Sequence, residues 1–152
     1  MSWREVCMIQ VCIEVAAGSC ERHRYNEQTL EYLGTRRASR PYPYPYGFIL
    51  GTRAADGASV DCYIITNASL PAGTLVECEP IGLLEQDEDG EVDHKVLAAL
   101  PGQHIELGQG LLQELRDFIY AVFAPWPDVH VQVGRMLPRQ AALQHMQACR
   151  EA

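Results

Sequence analysis

The residues with the clearest chemical potential are carboxylates. Asp56-Gly57-Ala58-Ser59-Val60-Asp61 sets two acids five positions apart beside a glycine, and from Glu85 to Asp93 six residues in nine are acidic. Acids drawn together from separate segments repel one another unless a hard cation such as Mg²⁺, Mn²⁺ or Ca²⁺ lies between them. Read alone, the acidic run is a solvated hairpin turn; convergence with Asp56 and Asp61 would make it a metal site. Glu85, Asp87, Asp89 and Gly90 match the start of a calcium-binding EF-hand loop, but the closing position, which needs a bidentate glutamate, is Val96. Zinc is poorly served, because the five histidines show no HExxH spacing and no CxxC pair occurs. The chain also lacks GxxxxGK[ST] and GxSxG, so P-loop nucleotide hydrolysis and serine-nucleophile hydrolysis lose their main support.

A second group is aromatic. Pro41-Tyr42-Pro43-Tyr44-Pro45-Tyr46-Gly47 is excluded from helix and from a central strand, because each proline fixes φ and removes a donor. The prolines lie two apart rather than in PxxP spacing, so the segment reads as a stiff scaffold that holds tyrosine hydroxyls toward the protein's own site.

The elements that must position these groups are mostly strands. Residues 5–15 alternate roughly and are β-rich, with Glu14 near the end of that strand. Residues 18–40 are polar and mixed, with a short strand expected around 29–33 and a basic cluster at Arg36, Arg37 and Arg40. Short strands are expected at 48–51, 60–66, 74–84 and 94–100, separated by turn signals at Asp56-Gly57, Pro71-Ala72-Gly73 and Asp89-Gly90. This spacing suggests an antiparallel, closed or nearly closed barrel. Leu111, Leu112, Leu115, Phe118, Ile119, Val122 and Phe123 follow the periodicity of an amphipathic helix that Pro125 ends. A last strand at 128–133 and a helix opened by Pro138 and running to about Cys149 complete the chain.

At 152 residues, 47% hydrophobic and 21% charged, the composition is that of one globular domain spanning 1–152. The net charge of -8 argues against a nucleic-acid or anionic-membrane partner. Without the six acids of the 85–93 run, 14 acids face 12 bases, so the acidity is mainly local. No apolar run is long enough for a membrane helix, and the opening Met1-Ser2-Trp3-Arg4-Glu5 lacks a secretory layout; the expected location is the cytoplasm. The six cysteines, Cys7 among them, are scattered and read as reduced, mostly core residues.

Taken in order, Glu14, the Tyr42-Pro43-x-x-Tyr46-Gly47-Phe48-Ile49 block, Asp56-Gly57-x-x-Val60-Asp61, Pro80-Ile81-Gly82-Leu83-Leu84 and Asp87-Glu88 leading to Asp93-His94-Lys95 resemble the soluble family I inorganic pyrophosphatases over about residues 9–100. The resemblance implies a mainly β, α+β fold: a five-stranded OB-like barrel flanked by two α-helices. It implies Mg²⁺-dependent hydrolysis of diphosphate to two phosphates, with Mn²⁺ as an alternative metal, in a homo-oligomer that in bacterial members is a hexamer. Carried over by position, Asp56, Asp61 and Asp93 resemble ligands of activating metals and Asp87 a ligand of a substrate-bound metal. Glu14 and Glu88 resemble acids that order metal-bound water, so Glu88 joins the metal set and Glu14, with Asp56, Asp61 and Tyr46, the catalytic set. Tyr42, Tyr46 and Lys95 resemble phosphate contacts.

Four positions depart from the family pattern. The middle acid of DGDPxD is Ala58, which removes a proton acceptor for the nucleophilic water, a role commonly worth about 10²–10⁴ in rate. The early Lys-x-Glu pair aligns on Arg24-Tyr25-Asn26, keeping a substrate-binding cation but not the acid. A phosphate-binding arginine falls on Gly34, with Arg36 or Arg37 as substitutes if the loop shifts, and a Tyr-Lys pair falls near Val122-Phe123. Three readings follow: a working pyrophosphatase, a relative that binds metal and phosphate or a phosphorylated ligand with little turnover, or an assembly partner with residual acids.

Overall fold

The computed structural model describes residues 8–151. Strands β1 (Ile9–Val15), β4 (Tyr46–Ile49), β5 (Asp61–Ile64), β6 (Leu75–Glu88) and β8 (Lys95–Ala99) pair in the order β1-β4-β5-β8-β6. β6 then pairs with β1, so the path returns on itself in a ring of five strands. Strand β7 (Glu91–Val92) and strand β9 (Val131–Pro138) extend β6, while β2 (Glu21–Tyr25) and β3 (Tyr32–Arg37) form a separate hairpin. Helices α1 (Gln109–Phe123) and α2 (Arg139–Ala148) flank the sheet. Residues 5–7, the expected start of the first strand, and Cys7 lie outside the described residues; the five described cysteines are all free.

The fold is mainly β with two helices, as expected, but three particulars differ. β5 and β8 run parallel, with Asp61 opposite Lys95, so the ring is not wholly antiparallel. The strand expected at 29–33 begins only at Tyr32, because Asn26 caps a turn instead: its Oδ1 accepts the amides of Gln28 and Thr29, both at 2.9 Å. The last strand starts at Val131 rather than 128 and crosses Gly134 and Pro138, residues of poor strand propensity. Its register against the long β6 overrides that propensity, and a Cβ at Gly134 would meet Glu85 Cβ at 3.1 Å, so the glycine lets the two strands approach. Gly47 is tighter still: a Cβ there would lie 1.8 Å from the Cys12 carbonyl oxygen, so only glycine fits where β4 crosses β1.

Two apolar clusters divide the strands by face. One takes Ile13, Ile49, Ile64, Leu83 and Val96 from all five ring strands, together with Ala142 of α2. The other sets Tyr46, Tyr63 and Leu97 against Leu115 and Ile119 of α1. Side chains alternate along a strand, so Cys62 and Ile64 serve the first cluster while Asp61 and Tyr63 face the second. The chemistry is therefore placed on the face under α1.

Candidate active site

A cavity of about 570 Å³ opens on that face, between the strand floor, the β2–β3 hairpin, the 53–58 loop and α1. Its floor is an ionic knot. Lys95 Nζ donates to Asp61 Oδ2 at 2.8 Å, to Asp93 Oδ2 at 3.0 Å and to the Tyr46 hydroxyl at 3.1 Å. Parallel β5–β8 pairing puts Asp61 beside Lys95, and the 93–95 spacing brings Asp93 to the same face. Burial opposes ionisation of Asp61, yet the Lys95 ammonium and Arg22 hold its carboxyl below the ordinary value. Burial alone would lower the Lys95 pKa, but Asp61 and Asp93 more than compensate and raise it.

The remaining acids are less well matched. Burial raises Asp93, Lys95 lowers it and the neighbouring Asp61 and Asp56 raise it again; the net direction is upward. Glu88 is likewise raised, first by burial and then by Asp93. Glu14 is pushed by burial from an ordinary 4.5 to about 7, with Arg22 opposing and Asp61 adding to the rise. It reaches the cavity because the β1–β4 register shifts between Ile13 and Val15, a bulge that re-aims the intervening side chain. Arg22 Nη2 lies 3.5 Å from Glu14 Oε1, and its guanidinium sits 5.6 Å from the centre of the Tyr46 ring. Lys95 Nζ approaches the same ring at 5.6 Å, so Tyr46 is flanked by two cations.

Tyr42 and Tyr46 are held by packing: their rings are 5.2 Å apart, and Tyr42 lies 4.6 Å from Phe118 of α1. The Pro-Tyr segment is pinned by backbone bonds from Gly18 to the Tyr42 carbonyl and from Tyr42 to the Ser19 carbonyl. Tyr44 instead donates to Glu114 of α1, which ties the segment to the helix.

Of the residues singled out from sequence, Glu14, Arg24, Tyr42, Tyr46, Asp56, Asp61, Glu88, Asp93 and Lys95 all line this cavity. Asp87 does not. On β6 the cavity face carries Gln86 and Glu88, and the intervening Asp87 lines a separate depression with His94 and Gln132. Of these two neighbouring acids it is Glu88, not Asp87, that faces the cavity. Asp56 spends Oδ1 on the Ala58 amide at 3.0 Å, and the nearby Ser59 amide donates to Glu27.

The cation expected at Arg24 has a deeper companion that the sequence does not single out. Arg22 and Arg24 are two apart on β2 and both face the cavity; Arg22 makes the contacts to Glu14 and Tyr46. Gly34 lies opposite Arg24, and neither Arg36 nor Arg37 lines the cavity. Gln86 is a second residue that sequence reasoning misses. Strand alternation from Glu88 is the signal that could find it, and among the described residues its buried Oε1 has no hydrogen-bond partner, nor has Arg22 Nε. Asn26, the position of the expected family acid, serves its own turn.

Comparison with known proteins decides the family. The profile described as Pyrophosphatase, inorganic pyrophosphatase, matches residues 11–152. The chain belongs to the inorganic pyrophosphatase family. The inorganic pyrophosphatase of Saccharolobus solfataricus is 39% identical over 117 residues, covering 75% of this chain and 67% of that protein. That of Sulfolobus acidocaldarius is 36% identical over 94 residues, covering 60% of this chain and 54% of the relative, so the match spans about half of that relative's length. The crystal structure of inorganic pyrophosphatase from Thermus thermophilus aligns with a TM-score of 0.85 at 27% identity, covering 97% of this chain and 92% of that one. Within this pyrophosphatase fold, the cavity coincides with the motif blocks, since the Tyr42–Tyr46, Asp56–Asp61 and Glu88–Lys95 segments all meet there.

The donor set fits a hard divalent ion in kind. Asp56, Asp61, Glu88 and Asp93 offer only carboxylate oxygens, the donor type that a hard divalent ion takes. Among the described residues no three acids stand close enough to form a ligand group by themselves, and Lys95 already bridges two of them.

Proposed function

We propose that this pyrophosphatase-family chain hydrolyses inorganic diphosphate to two phosphates with Mg²⁺, Mn²⁺ being the alternative metal. The observation that carries the reading is the Lys95 knot with Asp61, Asp93 and Tyr46 at the floor of a cavity that also presents Arg22 and Arg24. Diphosphate carries up to four negative charges, which an all-carboxylate pocket would reject. Here cations and hydroxyls are set among the acids: Lys95, Arg22 and Arg24 receive phosphate oxygens, and the Tyr42 and Tyr46 hydroxyls donate to them. Asp56, Asp61, Glu88 and Asp93 would hold the divalent ions, which neutralise substrate charge and acidify water when bound. Glu14, raised to about 7, is the group placed to hold or release a proton beside them near neutral pH. In the reaction a water oxygen bonds to one phosphorus while the bridging P–O bond breaks, and the water's proton passes to a neighbouring base or to the departing phosphate.

Ala58 favours a second reading, a protein that binds metal and phosphate with little turnover, because no carboxylate stands between Asp56 and Asp61. Phosphate release from diphosphate and Mg²⁺ separates the two. The expected result is two phosphates per diphosphate, abolished by Asp61→Asn; metal and phosphate binding without release would favour the second reading. Millimolar Mg²⁺ should also raise the melting temperature, since an ion bound only by the folded state stabilises it, and Asp61→Asn should remove most of that rise. Calorimetry showing no divalent-ion binding would sink both readings.

We further place the protein in a reducing compartment, the cytoplasm, as a homo-oligomer of the hexameric kind. The free cysteines support the first point and family membership the second. Among the described residues no helix is long and apolar enough to cross a membrane.

A further inference from the structure

We infer that the segment following α2 is a positioning device for Asp56: Glu151 holds Arg53, and Arg53 holds the turn that carries this carboxylate. The inference rests on the reading of Asp56 as a metal ligand given above. Asp56 lies on the 53–58 loop, outside the ring strands, so its place depends on what holds that loop. The stem is tied by Thr52, whose hydroxyl donates to the Ile49 carbonyl at 2.7 Å and accepts the Val60 amide at 3.0 Å. Residues 149–151 then run antiparallel to residues 51–53 through a bridge between Thr52 and Arg150. The Arg53 amide donates to the Cys149 carbonyl at 2.6 Å, and the Glu151 amide to the Gly51 carbonyl at 2.9 Å. Ala142 and Met146 of α2 and Cys149 just beyond it pack against the apolar cluster of the ring strands, so the segment has a firm footing.

The Arg53 side chain carries this contact into the loop. Its Nε and Nη2 donate to Glu151 Oε1 at 3.1 and 2.7 Å, and its Nη1 reaches the Gly57 carbonyl at 3.4 Å. Gly57 follows Asp56 directly, and its own amide donates to the Ala54 carbonyl at 3.0 Å, closing the turn. Glu151, Arg53 and Gly57 thus connect the end of α2 to the backbone beside Asp56. Arg53 lines the cavity, but its guanidinium is committed to Glu151 and Gly57, which separates it from Lys95, Arg22 and Arg24 as phosphate contacts. Both partners of the ion pair are partly exposed, so the pair contributes little to global stability. Its effect falls on the loop. Coordination tolerates about 0.2 Å of error in the placing of a ligand oxygen. A loop released from Arg53 spreads over more conformations, and ordering it again weakens ion binding.

Calorimetric titration of metal-free protein with Mg²⁺ tests this in two variants, Glu151→Gln and Arg53→Gln. Partners that orient a metal ligand are commonly worth about 10–100-fold in affinity; this pair acts one residue further from the ion, so each variant should weaken Mg²⁺ binding by about fivefold. The shared direction discriminates, because the two variants change the charge near the site in opposite senses. Through-space electrostatics alone would make Glu151→Gln weaken and Arg53→Gln strengthen Mg²⁺ binding, and that outcome overturns the inference. The double variant should bind no more weakly than either single one, since both break the same link. Glu151→Asp, which keeps the carboxylate, should restore most of the affinity. In metal-free protein, hydrogen exchange over residues 54–60 should quicken in both variants while the melting temperature barely moves. Unchanged Mg²⁺ affinity or unchanged exchange overturns the inference and leaves the metal site standing, as does weakening that merely follows a general loss of stability. Absence of Mg²⁺ binding by the parent protein overturns the metal-site reading and the inference with it.

Discussion

The strand floor and the opposing wall of the cavity are built on different principles. On the floor, Tyr46, Asp61 and Lys95 sit on neighbouring strands, are buried or nearly so, and are joined by hydrogen bonds of 2.8 to 3.1 Å. Across from them, Arg24 and Leu33 stand on a two-stranded hairpin and Phe123 at the last residue of α1. Of the four departures from the family pattern, Gly34, Asn26 and Phe123 fall on that second side, and Ala58 falls on the 53–58 loop that borders the floor. A group wired into a buried network cannot be exchanged without stranding its partners, whereas a group on a hairpin rim can be. The buried floor therefore holds family chemistry, and the hairpin, the 53–58 loop and the end of α1 are where this chain has its own character.

The sharpest way to break the contrast is to cut the floor at its centre. Lys95→Ala leaves Asp61 and Asp93 without their shared cation, and should cost about 3–5 kcal/mol of stability in metal-free protein, together with activity. Denaturant melts with and without Mg²⁺ check it: if the acids are metal ligands, the ion should restore part of the loss.

Glu14 gives a smaller effect of opposite sign. Its folded-state value of about 7 exceeds the ordinary 4.5, so its full contribution to stability is present below about 4.5 and is lost as pH rises through 7. In metal-free protein at pH 8, Glu14→Gln should stabilise by about 2–3 kcal/mol, and the gain should fade toward pH 4.5. Activity should fall in the same variant. Melting curves across pH, paired with phosphate release, would expose a Glu14 that does neither.

Next in size is Ala58→Asp, which should raise diphosphate hydrolysis by about tenfold or more by supplying a proton acceptor between Asp56 and Asp61. Ala58 lines the cavity, so there is room for the carboxylate. A variant that binds metal as the parent does yet stays equally slow would move the deficit to the wall, at Gly34 and Phe123.

Much of the floor is legible in the amino-acid sequence. The Asp56-Gly57 turn, the Pro-Tyr segment and the Asp89-Gly90 turn are local events, set by glycine, proline and side-chain chemistry within a few residues. Asp89 and Gly90 do adopt positive φ, 51° and 82°, where β6 turns into β7. Helix α1 is equally plain, because its apolar stripe repeats over many turns.

By itself, then, the sequence determined which segments carry the chemistry and that strands present them. The tertiary structure decided which side chain of each strand faces the cavity. A strand repeats every two residues, so an error of one position moves a group to the opposite face; this is why Glu88 and Gln86 point inward and Asp87 does not. It also decided Glu14, which reaches the cavity through a bulge, and Arg22, which lies under Tyr46 because the hairpin packs there. The parallel pairing that sets Asp61 beside Lys95, 34 residues away, depends on the closure of the whole ring. Local propensity carries no information about such a partner, because the energy that selects it comes from burying two strands together.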